Sequence, residues 1–197
     1  MNALRTAEVA RRTAETEVKL KLCIDGRGAA QISTGVGFFD HMLVLFARHS
    51  LFDLEIDAAG DLHVDAHHTV EDVAICLGRA LRDALGEKAG ISRFGHALIP
   101  MDEALALAAA DLSGRGYLAF SGAFPKGKTG DFDLELVEEF LRALAANGEF
   151  TLHVRLLAGK NSHHACEAVF KAVARALREA VSFDDRQPGV PSTKGVL

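Results

Sequence analysis

The sequence predicts an α+β fold made from an internally duplicated β-β-α-β-α unit, with sheets that carry their helices on one side. Three observations support this. The motif His-His-x-x-Glu occurs at His67 and again at His163, an offset of 96. From those points the two segments share 9 of 18 positions without a gap, among them Val73 with Val169, Arg79 with Arg175 and Leu81 with Leu177. Ordinary residue frequencies would give about one such identity. Finally, Gly26-Arg27-Gly28 has a counterpart in Gly114-Arg115-Gly116, each behind an alternating or apolar run.

The first unit is expected from Thr16 to Gly86. It opens on a strand in the run Val18 to Ile24, followed by the Gly-Arg-Gly turn, a second strand and a helix carrying His41. A strand containing Asp61-Leu62-His63-Val64 then leads to the motif helix. That helix is read from His67 to Leu85, because Val70, Val73, Ala74, Leu77, Ala80, Leu81 and Ala84 fall on one stripe. Gly86 stops it.

The second unit is expected from His96 to Val181. Its parts are the run Leu105 to Leu112, the second Gly-Arg-Gly, a strand, a helix carrying Glu139, a strand containing Thr151-Leu152-His153-Val154, and the helix of the second motif. The halves divide as residues 1–95 and 96–197. After Phe183 the chain holds Pro188, Gly189, Pro191 and Gly195 and reads as irregular.

Composition narrows the function. Lys plus Arg is 22 and Asp plus Glu is 27, a net charge of −5, so no basic face for nucleic acid is expected. Hydrophobic residues make up 49%, enough for a substantial core. The longest apolar stretch, Ala104 to Ala110, is too short to span a bilayer, so no membrane partner is expected. The N-terminus mixes Arg5, Arg11 and Arg12 with Glu8, Glu15 and Glu17, which predicts neither a signal nor a transit peptide. Three scattered cysteines suit reduced thiols in a cytoplasm. Nine histidines beside one tyrosine and no tryptophan point to metal chemistry.

The two motifs read as metal ligands. His67 and Glu71 stand i, i+4 and share one helix face, whereas His68 is turned about 100° away. Each motif thus offers a clamp for one ion and a lone histidine for another. Crossed pairing gives one set of His67, Glu71 and His164, and a second of His163, Glu167 and His68. The first helix of each unit adds a candidate: Glu139 to the first set and His41 to the second. Imidazole with carboxylate fits Mn, Fe or Zn better than Ca or Mg. His49, His63, His96 and His153 have no such support, although His63 and His153, next to the motif helices, could back up a ligand.

With these motifs the chain resembles the imidazoleglycerol-phosphate dehydratase family, from about Arg12 to Leu197. The resemblance is carried by Arg12-Thr13-Ala14-Glu15-Thr16, Gly37-Phe38-Phe39-Asp40-His41-Met42-Leu43 and His63 through Asp72. It continues through Arg93-Phe94-Gly95, Asp102-Glu103-Ala104, Asp111 through Arg115, Asn161 through Ala172, and Pro191 through Leu197. The resemblance implies a homo-oligomeric shell of about 24 subunits, two Mn ions per active site and a small phosphate substrate. Three positions depart from the family pattern. Ala66 stands where Asp is frequent, Leu45 where a Gln often reaches the phosphate, and Glu139 where many members have His.

The implied reaction removes water from imidazole glycerol phosphate to give imidazole acetol phosphate. The proton to be lost has no neighbouring carbonyl. A ring held as imidazolate by two metals could expel the adjacent hydroxyl and give a diazafulvene-like electron sink. The resemblance assigns Glu15 as the base and substrate contact. It assigns Arg93, Arg115, Lys171, Ser192 and Lys194 to the phosphate. The rival classes are a dimetal hydrolase, which would release phosphate, and a non-catalytic metal-binding shell protein.

Overall fold

The structure is a computed structural model and describes residues 3–197. The first half runs β1 (Thr6–Arg12), β2 (Thr16–Cys23), β3 (Ala30–Ser33), α1 (Gly37–Ser50), β4 (Asp53–Gly60) and α2 (His67–Leu85). The second half repeats this order as β5 (Phe94–Met101), β6 (Ala104–Asp111), β7 (Tyr117–Ser121), α3 (Glu135–Gly148), β10 (Thr151–Ala158) and α4 (Ser162–Val181). A small hairpin, β8 (Lys128–Thr129) with β9 (Phe132–Asp133), is inserted before α3.

Each half makes a four-stranded sheet of the same design. The orders are β1-β2-β4-β3 and β5-β6-β10-β7, with the last neighbour in each parallel and the others antiparallel. Alternation decides which face is inside. In β2, Val18, Leu20 and Leu22 are buried while Lys19 and Lys21 are exposed. In β6, Ala104, Ala106, Ala108 and Ala110 turn inward. The helices cover these inner faces, α2 on the first sheet and α4 on the second, and they pack across the halves as α1 on α4 and α2 on α3. The small alanines of β6 let α4 come close. At the α2–α3 crossing, a Cβ on Gly78 would lie 2.7 Å from the Leu144 carbonyl oxygen, so only glycine fits. In the resulting core Phe140 stacks on Phe170 and meets Phe39 edge-on, and a buried ring of this kind contributes about 2 kcal/mol.

Two local expectations fail. A strand, β1 or β5, pairs ahead of the apolar run in each half, so the unit is β-β-β-α-β-α. The segment Asp61-Leu62-His63-Val64 is a turn in which Val64 N–H donates to the Asp61 carbonyl at 2.8 Å. The strand before α2 is Asp53–Gly60, so β4, and not that turn, corresponds to β10. His63 is therefore exposed in a turn, whereas His153 does lie on a strand.

The outer faces of the two sheets differ. The first carries Glu8, Lys19, Lys21, Glu55 and Asp57, with Lys21 within 3.8 Å of Glu8 and 3.7 Å of Glu55. The second presents Phe94, Leu98, Tyr117 and Leu157, each more than half exposed. Among the described residues no helix is long and apolar enough to cross a membrane.

Candidate metal centre

The second motif is placed by a cap. The Asn161 side chain accepts the His163 N–H at 2.9 Å and starts α4 there. Asp65 does the same for His67 at 2.8 Å, at the equivalent point of the first repeat. With α4 so fixed, His163 Nε2 lies 2.9 Å from Glu167 Oε1, one turn on. From α1, His41 Nε2 reaches the same oxygen at 3.2 Å. The three ligand atoms all lie within 4.8 Å of one another. Phe38 packs edge-on against the His163 ring, centroids 5.2 Å apart.

This donor set fits a divalent ion of the Mn, Fe or Zn kind. Glu167 Oε1 faces the two imidazoles, and an ion would take the place of the ring protons now shared with it. Its other oxygen accepts from Lys171 Nζ at 2.6 Å. Burial pushes the Glu167 carboxyl up, but hydrogen bonds from Lys171, His41 and His163 outweigh this and bring it to about 2. The carboxylate is therefore ionised at any pH where the imidazoles can bind metal.

His67, Glu71 and Glu139 form no such cluster among the described residues. Glu139 lies 3.6 Å from Arg142 Nε. His67 instead shares with His41 the wall of a cavity of about 710 Å³, closed on one side by the β8–β9 hairpin and lined also by Lys128 and Asp131.

The lone histidines diverge from their neighbours as helical geometry requires. The ring planes of His67 and His68 are 86° to one another, and so are those of His163 and His164. Each turns to carboxylates outside the helix. His68 Nδ1 is 3.0 Å from Asp61 and 3.8 Å from Glu15. His164 Nδ1 is 2.8 Å from Glu103 and 3.8 Å from Asp102. Hydrogen bonds to Asp61 and to Glu103 raise the respective imidazole pKa values, and the His164 bond together with backbone donors lowers Glu103 to about 2. Among the described residues the crossed sets, His164 with His67 and Glu71 and His68 with His163 and Glu167, do not converge within one chain.

Glu15 occupies the turn between β1 and β2 and is exposed. Arg93 is engaged by Asp111, at 2.7 Å through Nε, and by the Pro191 carbonyl at 2.8 Å. Arg115 approaches Asp111 at 3.9 Å from an exposed position. The tail of Ser192 and Lys194 folds back so that a Cβ on Gly114 would lie 2.8 Å from the Leu197 carbonyl carbon. Arg93, Arg115 and the tail thus share one neighbourhood, whereas Lys171 stands apart from it on Glu167. Near Lys171 and Arg175, burial and these two cations lower the His49 pKa.

Sequence reasoning passed over Asp61, Asp72 and Glu103 as functional groups. The motifs contained all three letters, but only long-range contacts reveal their partners.

Comparison with known proteins agrees with this architecture. The family profile described as imidazoleglycerol-phosphate dehydratase matches residues 34–177. The protein of that name from Desulforudis audaxviator is 63% identical over 98% of both chains, and that from Pelotomaculum thermopropionicum is 60% identical over 98% of both. The crystal structure of the Staphylococcus aureus imidazoleglycerol-phosphate dehydratase superposes with a TM-score of 0.83 at 41% identity, covering 91% of this chain and 99% of that one. The Pyrococcus furiosus structure, a complex with (S)-C348, gives 0.83 at 39% identity over 96% and 100%.

Proposed function

The chain belongs to the imidazoleglycerol-phosphate dehydratase family, hydro-lyases of histidine biosynthesis, and on that premise we propose that it dehydrates imidazole glycerol phosphate with two Mn ions and Glu15 as base. The observation that carries the proposal is the convergence of His41, His163 and Glu167 on one point. A second set, drawn from His67, Glu71 and Glu139, is proposed by repeat equivalence. Held by these residues, Mn would supply Lewis-acid chemistry to the substrate's imidazole.

The remaining work falls to the chain. Lys171 holds Glu167 ionised and aimed. Glu15, exposed at its hairpin tip, accepts the side-chain proton that has no carbonyl to acidify it. Arg93, Arg115, Lys171, Ser192 and Lys194 are assigned to the phosphate, whose charge they would neutralise and whose position fixes the reacting carbon. Arg93 is held by Asp111, so its guanidinium presents a fixed edge.

The lone histidines support a homo-oligomer. Because neither crossed set converges within one chain among the described residues, a second copy would be needed for each to close. The apolar outer face of the second sheet, with Phe94, Leu98, Tyr117 and Leu157, supports contact between copies. The charged face of the first sheet suits water. We assign the halves as residues 1–95 and 96–197, the assembly as a shell of about 24 subunits and the location as cytoplasmic.

Metal removal and product analysis test the proposal. Chelated, verified metal-free protein is expected to be inactive, and Mn to restore turnover to imidazole acetol phosphate with no release of inorganic phosphate. Full activity without metal would overturn the two-ion reading. Phosphate release would point to the hydrolase class instead.

A further inference from the structure

The turn that carries Glu15 is docked on α2 by an anchor, Asp72, that has no counterpart in the second repeat. Asp72 is one turn beyond His68 on α2, at i, i+4, so both side chains leave the same face of the helix. His68 meets the Glu15 carboxylate, Nδ1 to Oε2, at 3.8 Å. Asp72, only 6% exposed, accepts from the Thr16 hydroxyl through one carboxylate oxygen and from Arg11 Nε at 2.8 Å through the other. Thr16 and Arg11 flank the turn, one opening β2 and the other near the end of β1.

Inside the turn the order continues. The Thr13 hydroxyl lies 3.2 Å from the Thr16 hydroxyl and accepts the N–H groups of Thr16 at 3.0 Å and Glu15 at 3.1 Å. An unbroken chain of hydrogen bonds therefore runs from the Asp72 carboxylate through Thr16 and Thr13 to the Glu15 backbone. The repeat shows what is special about it. The position equivalent to Asp72 in α4 is Ala168, so the β5–β6 tip has no such anchor. That tip is held through Glu103, which accepts the N–H groups of Lys160 and Asn161 at 3.1 and 2.7 Å.

We propose that Asp72, acting through Thr16, is a positioning residue that fixes the Glu15 turn on the helix bearing His67, His68 and Glu71. The proposal rests on the reading of Glu15 as base. A base on an exposed three-residue turn would otherwise sample many positions. Tying its turn to the helix that carries the clamp makes the distance between base and ring a property of one rigid body.

The test compares Thr16→Val with Thr16→Ser and Glu15→Gln in the Mn-loaded protein. Thr16→Val keeps the shape of the side chain and removes the bridging hydroxyl, whereas Thr16→Ser keeps the hydroxyl. Thr16→Val is expected to lower kcat by about 10- to 100-fold, the scale of an ångström-sized misplacement, with KM and Mn stoichiometry unchanged. Thr16→Ser should recover most of the loss. Wild-type kcat in Thr16→Val, an equal loss in Thr16→Ser, or a parallel fall in Mn stoichiometry would each overturn the positioning role. If Glu15→Gln itself turns over normally, the base reading fails and the proposal fails with it. If Glu15→Gln collapses while Thr16→Val is normal, only the positioning is wrong.

Discussion

In α4 the clamp of His163 and Glu167 has an imidazole, His41, as its third member. In the set proposed for α2, the clamp of His67 and Glu71 would take a carboxylate, Glu139, as its third member. The first trio converges on one point, while Glu139 is engaged by Arg142. Charge accounts for the difference. Two imidazoles can both hydrogen-bond a single carboxylate, so the α4 trio is self-supporting. Two carboxylates around one imidazole repel each other until a cation arrives. On the proposed ligand sets, the α2 half-site would depend more on its cation for closure than the α4 half-site.

The largest test of this contrast removes the shared ligand type from each half. His163→Ala and His67→Ala should both cost at least about a thousandfold in kcat/KM, the several kcal/mol expected of a lost Lewis acid. They should differ in metal binding. His163→Ala is expected to abolish the tighter of two Mn binding steps and His67→Ala the weaker, as read by titration of the metal-free protein. Two identical steps in the wild type would erase the asymmetry.

A smaller effect concerns Lys171, whose ammonium does most to hold Glu167 ionised. The folded carboxyl is lowered to about 2, below the ordinary value of about 4.3. Its contribution to stability is therefore complete above the ordinary value and is lost as pH falls towards 2. Lys171→Met should raise the folded pKa and narrow that window. Thermal melts of metal-free protein between pH 2 and 6 should then show the variant's acid-induced loss to be smaller and complete at higher pH than the wild type's, and superimposable curves would count against the pairing.

The smallest change sharpens the comparison. Glu139→His gives the α2 half the same donors as the α4 half. Mn should bind the weaker site more tightly, by about tenfold, on the scale of ligand-environment effects, and the two binding steps should converge. An unchanged second step would mean that Glu139 is not a ligand.

Much of this was legible in the sequence because it is local. The i, i+4 clamp and the divergence of neighbouring histidines follow from helix pitch. The α2 boundaries follow from an apolar stripe that ends at Gly86. The first strand was not legible, because Thr6–Arg12 sets only Ala7, Val9 and Ala10 against Glu8, Arg11 and Arg12 and gains its place by pairing with β2. Asp61-Leu62-His63-Val64 looks like Thr151-Leu152-His153-Val154 but lies after the strand end, where Asp61 turns to His68. The anchoring roles of Asp72 and Glu103 depend on contacts 56 and 61 residues away, to Thr16 and His164, which no local pattern encodes.

The central claim is that each ion takes a clamp from one motif and the lone histidine of the other. Anomalous diffraction at the Mn edge, from Mn-loaded crystals of the wild type, His68→Ala and His164→Ala, locates the ions directly. The account predicts two Mn positions per chain, one of them against His41, His163 and Glu167. His68→Ala should empty that position alone, and His164→Ala only the one at His67 and Glu71. Loss of both ions, or retention of both, in each variant would contradict it.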